Sequence, residues 1–280
     1  DDIHYKGGCM LGENFGWSAN MLSYSSRAPD PAIVGDKWRE MWLQRLRSMP
    51  MLLSTWLRHP HRDDYWKHGS ICEDYASIKA AVLSLGGWHD GYRNTPAHLV
   101  ENIQSPVKAI VGPWIHKYPH FAAPEPRIGF LQVAVQWWDR WLKGIENGVE
   151  NEPAYKAWLM DSVDPKTWLP ERPGRWIAEA KWPSNRIRDQ IYHLTDAGLA
   201  ELAGELAKSV SSPLDTGLTA GEYFPFTYGP ELPDEQGEDD RRSLVFDGAP
   251  LEEEKDIVGA PNFSFRFSAD QPQALIHVRL

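Results

Sequence analysis

Between residues 79 and 144 the chain alternates short apolar runs with amphipathic stretches, and few folds accommodate that alternation. "KAAVLSLGG" is a continuous apolar run closed by glycines, the pattern of a strand buried on both faces. "TPAHLVENI" reads as a helix, with Thr95 as its cap and Pro96 at its first position. "VKAIVGPW" is a second buried strand. "GFLQVAVQWWDRWLKG" is a helix with Phe130, Val133, Ala134, Trp137 and Trp141 on one face and Gly144 closing it. Strand, helix, strand, helix in this order predicts a parallel α/β sheet.

The flanks have a different texture. Residues 1–30 read as irregular. "GDKWREMWLQRLRSMP" predicts a helix whose Trp38, Met41, Trp42 and Leu46 form one stripe, capped by Asp36 and ended by Pro50; "MLLSTWLRH" predicts a second, short one. After residue 150, "AYKAWLMDS", "GRWIAEAKW", "DQIYHL", "RSLVFD", "FSFRFSA" and "ALIHVRL" read as short strands of an antiparallel module, with "LAELAGELA" as a helical insert. The acidic runs "ELPDEQGEDD" and "LEEEKD" read as solvated loops.

Composition excludes several classes. At 280 residues, 42% hydrophobic and 24% charged, the chain is globular and long enough for one large domain or two ordinary ones. A net charge of −10 with no basic patch argues against a nucleic-acid partner. No run of 18 apolar residues is present, so no membrane span is expected, and "DDIHYKGG" lacks a signal-peptide pattern. Cys9 and Cys72 form no CxxC, which makes a reducing, cytoplasmic compartment the expectation. The 14 tryptophans serve as core mass or as pocket walls.

Three constellations could carry chemistry. Asp90 and His116 each follow a predicted parallel strand, at the sheet edge where ligands and catalytic groups collect in open α/β folds. Their separation suits one strand–helix–strand crossover, which would bring the two loops side by side. An Asp that accepts from imidazole Nδ1–H leaves Nε2 to take a proton from a nucleophile. The alternative is that Asp90 caps a helix and His116 is structural. His120 is a rival base, and His89 a poor partner for Asp90 because successive residues point apart. "FGWSAN" offers Ser18 as a nucleophile, but Asn20 stands where the G-x-S-x-G elbow has its second glycine, and no apolar strand precedes it. "HPHRDDYWKH" offers His59, His61 and Asp63 as zinc ligands, with Asp64 where a further His would be needed and His68 as a spare. A solvated helix terminus is its other reading.

"GGWHDGY", then "IVGPWIHKY", then "WWDRWLKG" resemble, in that order, the motifs of the cocaine-esterase-like (CocE/NonD) acyl hydrolases, within the X-Pro dipeptidyl-peptidase (S15-type) group. The resemblance implies an α/β fold in which the C-terminal part of an α/β-hydrolase domain, with a helical cap, precedes a partial β-sandwich (jelly-roll) domain. It implies residues 1–78 as cap region with a remnant of the hydrolase domain, 79–150 as the C-terminal part of that domain, 151–186 as a connecting segment and 187–280 as the partial sandwich. It places Asp90 at the triad acid and His116 at the triad base, with Asp139, Leu142 and Gly144 in the following helix. Trp17 matches a pocket-wall position, which removes Ser18 as nucleophile; Tyr92, two residues past Asp90 on the same loop, is a second candidate wall, and for both a place in the core is the other reading. The His-rich run matches a stretch without a metal role.

The family's serine elbow and oxyanion Tyr precede the cap and do not occur in these 280 residues. The expectation is therefore a fragment, inactive alone, of a serine hydrolase acting on a small-molecule ester or amide and needing no metal or cofactor. Its alternatives are a non-catalytic binding module, favoured by an Asp90–His116 pair too far apart to hydrogen-bond, and a zinc hydrolase built on His59, His61 and Asp63.

Overall fold

The computed structural model describes residues 5–6 and 9–280; residues 1–4 and 7–8, part of the stretch read as irregular, lie outside it. An antiparallel ladder pairs β1 (Tyr5–Lys6) with β2 (Cys9–Met10). Five helices follow: α1 (Glu13–Ser25), α2 (Pro31–Val34), α3 (Trp38–Ser48), α4 (Leu52–Trp56) and α5 (Asp64–Lys67). Helix α1 corrects the reading of residues 1–30 as irregular. Its buried positions are polar, Asn14 and Ser18, while Phe15 and Tyr24 face solvent, so the apolar periodicity that marks a helix is missing. Asn14 Nδ2 and Ser18 Oγ donate to the Leu11 and Phe15 carbonyls at 3.0 and 2.8 Å. Helix α3 forms as expected and stops before Pro50, but Asp36 sits in a 3-10 turn, Gly35–Lys37, that leads into the helix, and its side chain does not cap it. Trp42 of its stripe donates to the Ser26 carbonyl at 2.7 Å.

The main sheet has four strands in the order β3 (Val82–Gly87), β4 (Val107–Gly112), β5 (Tyr155–Met160) and β6 (Gly174–Glu179). Strands β3, β4 and β5 are parallel, and β6 is antiparallel to β5. Helix α6 (Thr95–Asn102) connects β3 to β4; it begins at Thr95 itself, with Asn94 in the cap position. Helix α7 (Phe130–Lys143) lies between β4 and β5. It buries Ala134 and Trp137 and ends on Gly144, whose left-handed backbone (φ 73°) sends its N–H back to the Arg140 carbonyl, as its sequence predicts. The core gathers Val100, Ala109, Val111, Tyr155 and Ala157, with Trp88, Ile177 and Trp182 packed against them. Burying a side chain such as Val111 completely is worth about 1.5–3 kcal/mol.

Strands β5 and β6 correct the reading that everything after 150 forms a separate antiparallel module: they complete the mixed sheet, because Tyr155 and Ala157 share the core with Val111. The remaining elements are β7 (His193–Thr195), β8 (Gly198–Ala200) and α8 (Gly237–Asp240). The expected helix over "LAELAGELA" does not form. Gly198, at φ 117°, closes a tight turn with β7, where Thr195 Oγ1 donates to its carbonyl at 2.9 Å. Residues 201–280 carry no strand among the described residues, so "RSLVFD", "FSFRFSA" and "ALIHVRL" are unpaired and the sandwich expected over 187–280 is not seen. A strand persists only with a ladder partner, and these segments have none; Phe263 and Leu275 are exposed.

Strand β3 ends in two glycines because Pro96 of α6 crowds Gly86 and the neighbouring loop presses on Gly87. A Cβ on Gly87 would stand 1.9 Å from the Trp114 carbonyl oxygen, and one on Gly112 would stand 2.3 Å from the Trp114 ring. Gly87→Ala is expected to lower unfolding free energy by about 3 kcal/mol, the upper end for overpacking a core. Chemical denaturation of the variant against the parent chain reads this directly.

Candidate active site

The in-register pairing of β3 with β4 builds the site. Val82 faces Val107 and Gly87 faces Gly112, so both strands end at the same level. The two loops that follow are laced together. Trp88 N–H donates to the Gly112 carbonyl at 2.9 Å, and His89 N–H to the Trp114 carbonyl at 3.1 Å. Trp114 is buried and donates its indole N–H to the Pro126 carbonyl at 2.8 Å, which fixes the second loop from below.

This lacing brings together two groups 26 residues apart: His116 Nδ1 lies 2.9 Å from Asp90 Oδ2. Asp90 is buried, and its other oxygen, Oδ1, accepts the Tyr92 N–H at 2.8 Å. A carboxylate has no proton to give, so Nδ1 carries the proton and Nε2 is the ring nitrogen able to accept one. The His116 side chain is 39% exposed, compared with 11% for Asp90. The acid is thus sheltered while the imidazole can be reached. Asp90 caps no helix, since α6 starts from Asn94.

A segment that the sequence reading did not single out covers this pair. Residues 223–228, "YFPFTY", lie across both loops. His116 N–H donates to the Pro225 carbonyl at 3.1 Å. The Phe224 ring lies 4.4 Å from the imidazole and 5.4 Å from the Tyr92 ring, and Tyr92 itself lies 5.8 Å from His116. A Cβ on Gly91 would stand 2.3 Å from Phe224, so the small residue in "HDGY" admits this ring. The only sequence signal was a cluster of aromatics around a proline within an otherwise acidic region.

The other candidates lie elsewhere. Trp17 is on α1 at 39% exposure, and no ring contact among the described residues joins it to the pair. Ser18 is buried inside that helix with its hydroxyl on a backbone carbonyl. His120 stacks on Phe130 at 5.7 Å and edges onto Phe121 at 4.7 Å, while the bond to Asp90 belongs to His116. The zinc alternative is corrected. Asp63 caps α5 through Tyr65 N–H (3.0 Å), and its other oxygen is 2.6 Å from His59 Nδ1. The His59 bond, the Tyr65 N–H bond and the His59 charge together hold Asp63 below the ordinary carboxylate range, against burial that pushes it up. Among the described residues no group of three His, Cys, Asp or Glu side chains is placed to hold a metal. Nor, among them, is any helix long and apolar enough to cross a membrane.

His89 is a half-buried group beside the site whose Nε2 is buried. Burial pushes its pKa down from 6.5 to about 4, and the Arg172 and Arg93 charges push the same way. The unfolded chain therefore binds this proton more readily than the folded one between those values. Stability from His89 is complete above about pH 6.5 and is lost as the pH falls toward 4, by up to roughly 3 kcal/mol at about 1.4 kcal/mol per pKa unit. Urea midpoints from pH 7 to pH 4 are expected to fall steeply in the parent chain and less steeply in His89→Gln.

Comparison with known proteins places this geometry. Residues 1–118, which include Asp90 and His116, match the family model of the X-Pro dipeptidyl-peptidase (S15 family), and residues 147–280 match that of the X-Pro dipeptidyl-peptidase C-terminal non-catalytic domain. A Bacillus cereus protein whose name assigns it to the Xaa-Pro dipeptidyl-peptidases is 26% identical over 220 residues, which cover 75% of this chain and 33% of that one. The crystal structure of a CocE/NonD family hydrolase from Staphylococcus aureus shares the fold, with a TM-score of 0.51 at 15% identity over 72% of this chain and 32% of its own. The chain spans about a third of the length of these relatives. The two family matches follow one another along the chain and account for nearly all of the sequence, so the chain is similar, region by region, to the catalytic and C-terminal domains of the S15-type X-Pro dipeptidyl-peptidases.

Proposed function

We propose that this chain supplies the acid and base of a serine acyl hydrolase triad, His116 as general base and Asp90 as the residue that orients it. The 2.9 Å bond between His116 Nδ1 and Asp90 Oδ2 at two matched strand ends carries the reading. In this mechanism Nε2 of His116 takes the proton from a serine hydroxyl as its oxygen attacks the ester or amide carbonyl. The imidazolium then gives that proton to the departing alkoxide or amine. Asp90 stabilises the charged ring throughout. A serine lying outside these 280 residues is the nucleophile, with the oxyanion donors alongside it. The Bacillus cereus relative makes X-Pro peptides one substrate class to test beside simple esters.

Within this reading Tyr92, which sits against the imidazole, walls the acyl site. Trp17 on α1 is proposed to reach it from a cap formed by α1–α5. In this reading residues 79–150, completed by β5 and β6 from within 151–186, form the C-terminal part of the hydrolase domain, and the region from 187 on follows it. The binding-module alternative called for an Asp and His held apart, and the observed bond runs against it.

Two measurements test this reading. A slowly exchanging downfield Nδ1–H resonance from His116 is expected in proton NMR and is expected to vanish in Asp90→Asn; its persistence in that variant would overturn the pair. The 280-residue chain is expected to show no labelling by a fluorophosphonate and no turnover of an aryl ester, because loss of the nucleophile removes several orders of magnitude of rate. Ester turnover that disappears in His116→Ala would place a nucleophile inside the chain and overturn that part.

A further inference from the structure

The segment over the Asp90–His116 pair, residues 223–228, belongs to no helix or strand; a backbone bond from Glu222 N–H to the Glu231 carbonyl at 2.8 Å closes its base, and side chains shape the rest. One carboxylate dominates. Glu231 Oε2 accepts the Phe226 N–H at 2.6 Å and the Thr227 N–H at 2.8 Å, and Oε1 accepts the Thr227 hydroxyl. The Lys117 ammonium, on the residue after His116, lies 3.6 Å from the centre of the Phe226 ring and adds its charge to Glu231. Burial pushes the Glu231 pKa up, but the bonds from Thr227 and Phe226 and the Lys117 charge outweigh it and hold the group below the ordinary Glu value. Next to Glu231, buried Leu232 anchors the chain through its N–H on the Thr167 carbonyl at 2.9 Å. The turn so fixed presents the Pro225 carbonyl to His116 N–H and the Phe224 ring to the imidazole.

We propose that Glu231 is a positioning residue for His116: its carboxylate folds the 223–228 turn, and the turn holds the backbone and one face of the imidazole while Asp90 holds Nδ1. This rests on the reading of His116 as the base. It gives a role to a residue in the C-terminal region, whose family model describes a non-catalytic domain. Hydrogen bonds to a charged acceptor are the strong ones, and two backbone donors on one oxygen fix a turn without regular structure.

Amide hydrogen exchange on the 280-residue chain tests it, with Val111 in the central strand β4 as internal reference. In Glu231→Ala, exchange at His116 N–H is expected to accelerate at least about tenfold relative to Val111, as loss of a charged acceptor implies, and the His116 Nδ1–H resonance to broaden. Glu231→Gln, which keeps one acceptor oxygen for both amides, is expected to stay within about threefold of the parent chain, less than the loss of one ordinary hydrogen bond. Unchanged His116 exchange in Glu231→Ala would overturn the proposal. So would equal acceleration at His116 and Val111, which signals general loss of stability, or a Gln variant as loose as the Ala variant. Asp90→Asn separates the two ideas. If it leaves the Nδ1–H resonance intact the acid–base reading fails, whereas a response to Asp90→Asn but not to Glu231→Ala removes the Glu231 proposal alone.

Discussion

The parallel register of β3 and β4 is the constraint on which the candidate site depends. Because Gly87 faces Gly112, the two chains leave the sheet together, and Asp90 and His116 fall opposite one another. A slip of one residue would turn every side chain of one strand to the other face. The pair would part, and Val111 and Ala109 would leave the core. Tight packing enforces the register at the exit, where the Trp114 carbonyl and ring occupy the space that side chains on Gly87 and Gly112 would need. The apolar core and the polar site are thus fixed by one set of contacts.

The site is asymmetric in a way that suits acid–base work. Asp90 is sheltered, with one oxygen on a backbone N–H and the other on His116. The imidazole is more open, and aromatic rings rather than further charges surround it: Tyr92 on one side, Phe224 and Phe226 on another. The rings shelter one part of the imidazole while the rest of it stays open to solvent. The cover comes from far along the chain; Tyr223 reaches back to the Gly91 carbonyl at 3.4 Å across 132 residues. A region matched to a non-catalytic domain therefore contributes to the surroundings of His116.

The sequence was most legible where a local pattern and a buried environment agree. The strands over 82–87 and 107–112 and the helix closed by Gly144 follow from apolar runs, glycine stops and spacing. It was least legible where side chains bond to their own backbone or where partners are distant. Helix α1 hides its buried face behind Asn14 and Ser18. "LAELAGELA" has helical spacing, yet Gly198 and Thr195 draw its start into a hairpin. "ELPDEQGEDD" reads as a solvated loop, but its first residue, Glu231, organises the turn over His116.

By itself the sequence determined the α/β crossover, the two strand-end loops and the residues they carry. Periodicity and glycine stops are local properties, and the crossover length limits where the next strand can lie. Three motifs in order also carried the resemblance to the S15-type hydrolases, whose two domain models match the chain. Only the tertiary structure decided that Asp90 bonds His116 and not His120, that Asp63 caps α5 and bonds His59, and that β5 and β6 complete the sheet. It alone brought residues 223–231 onto the Asp90–His116 pair. Those outcomes depend on register and on contacts between residues far apart in the chain, which no local pattern encodes.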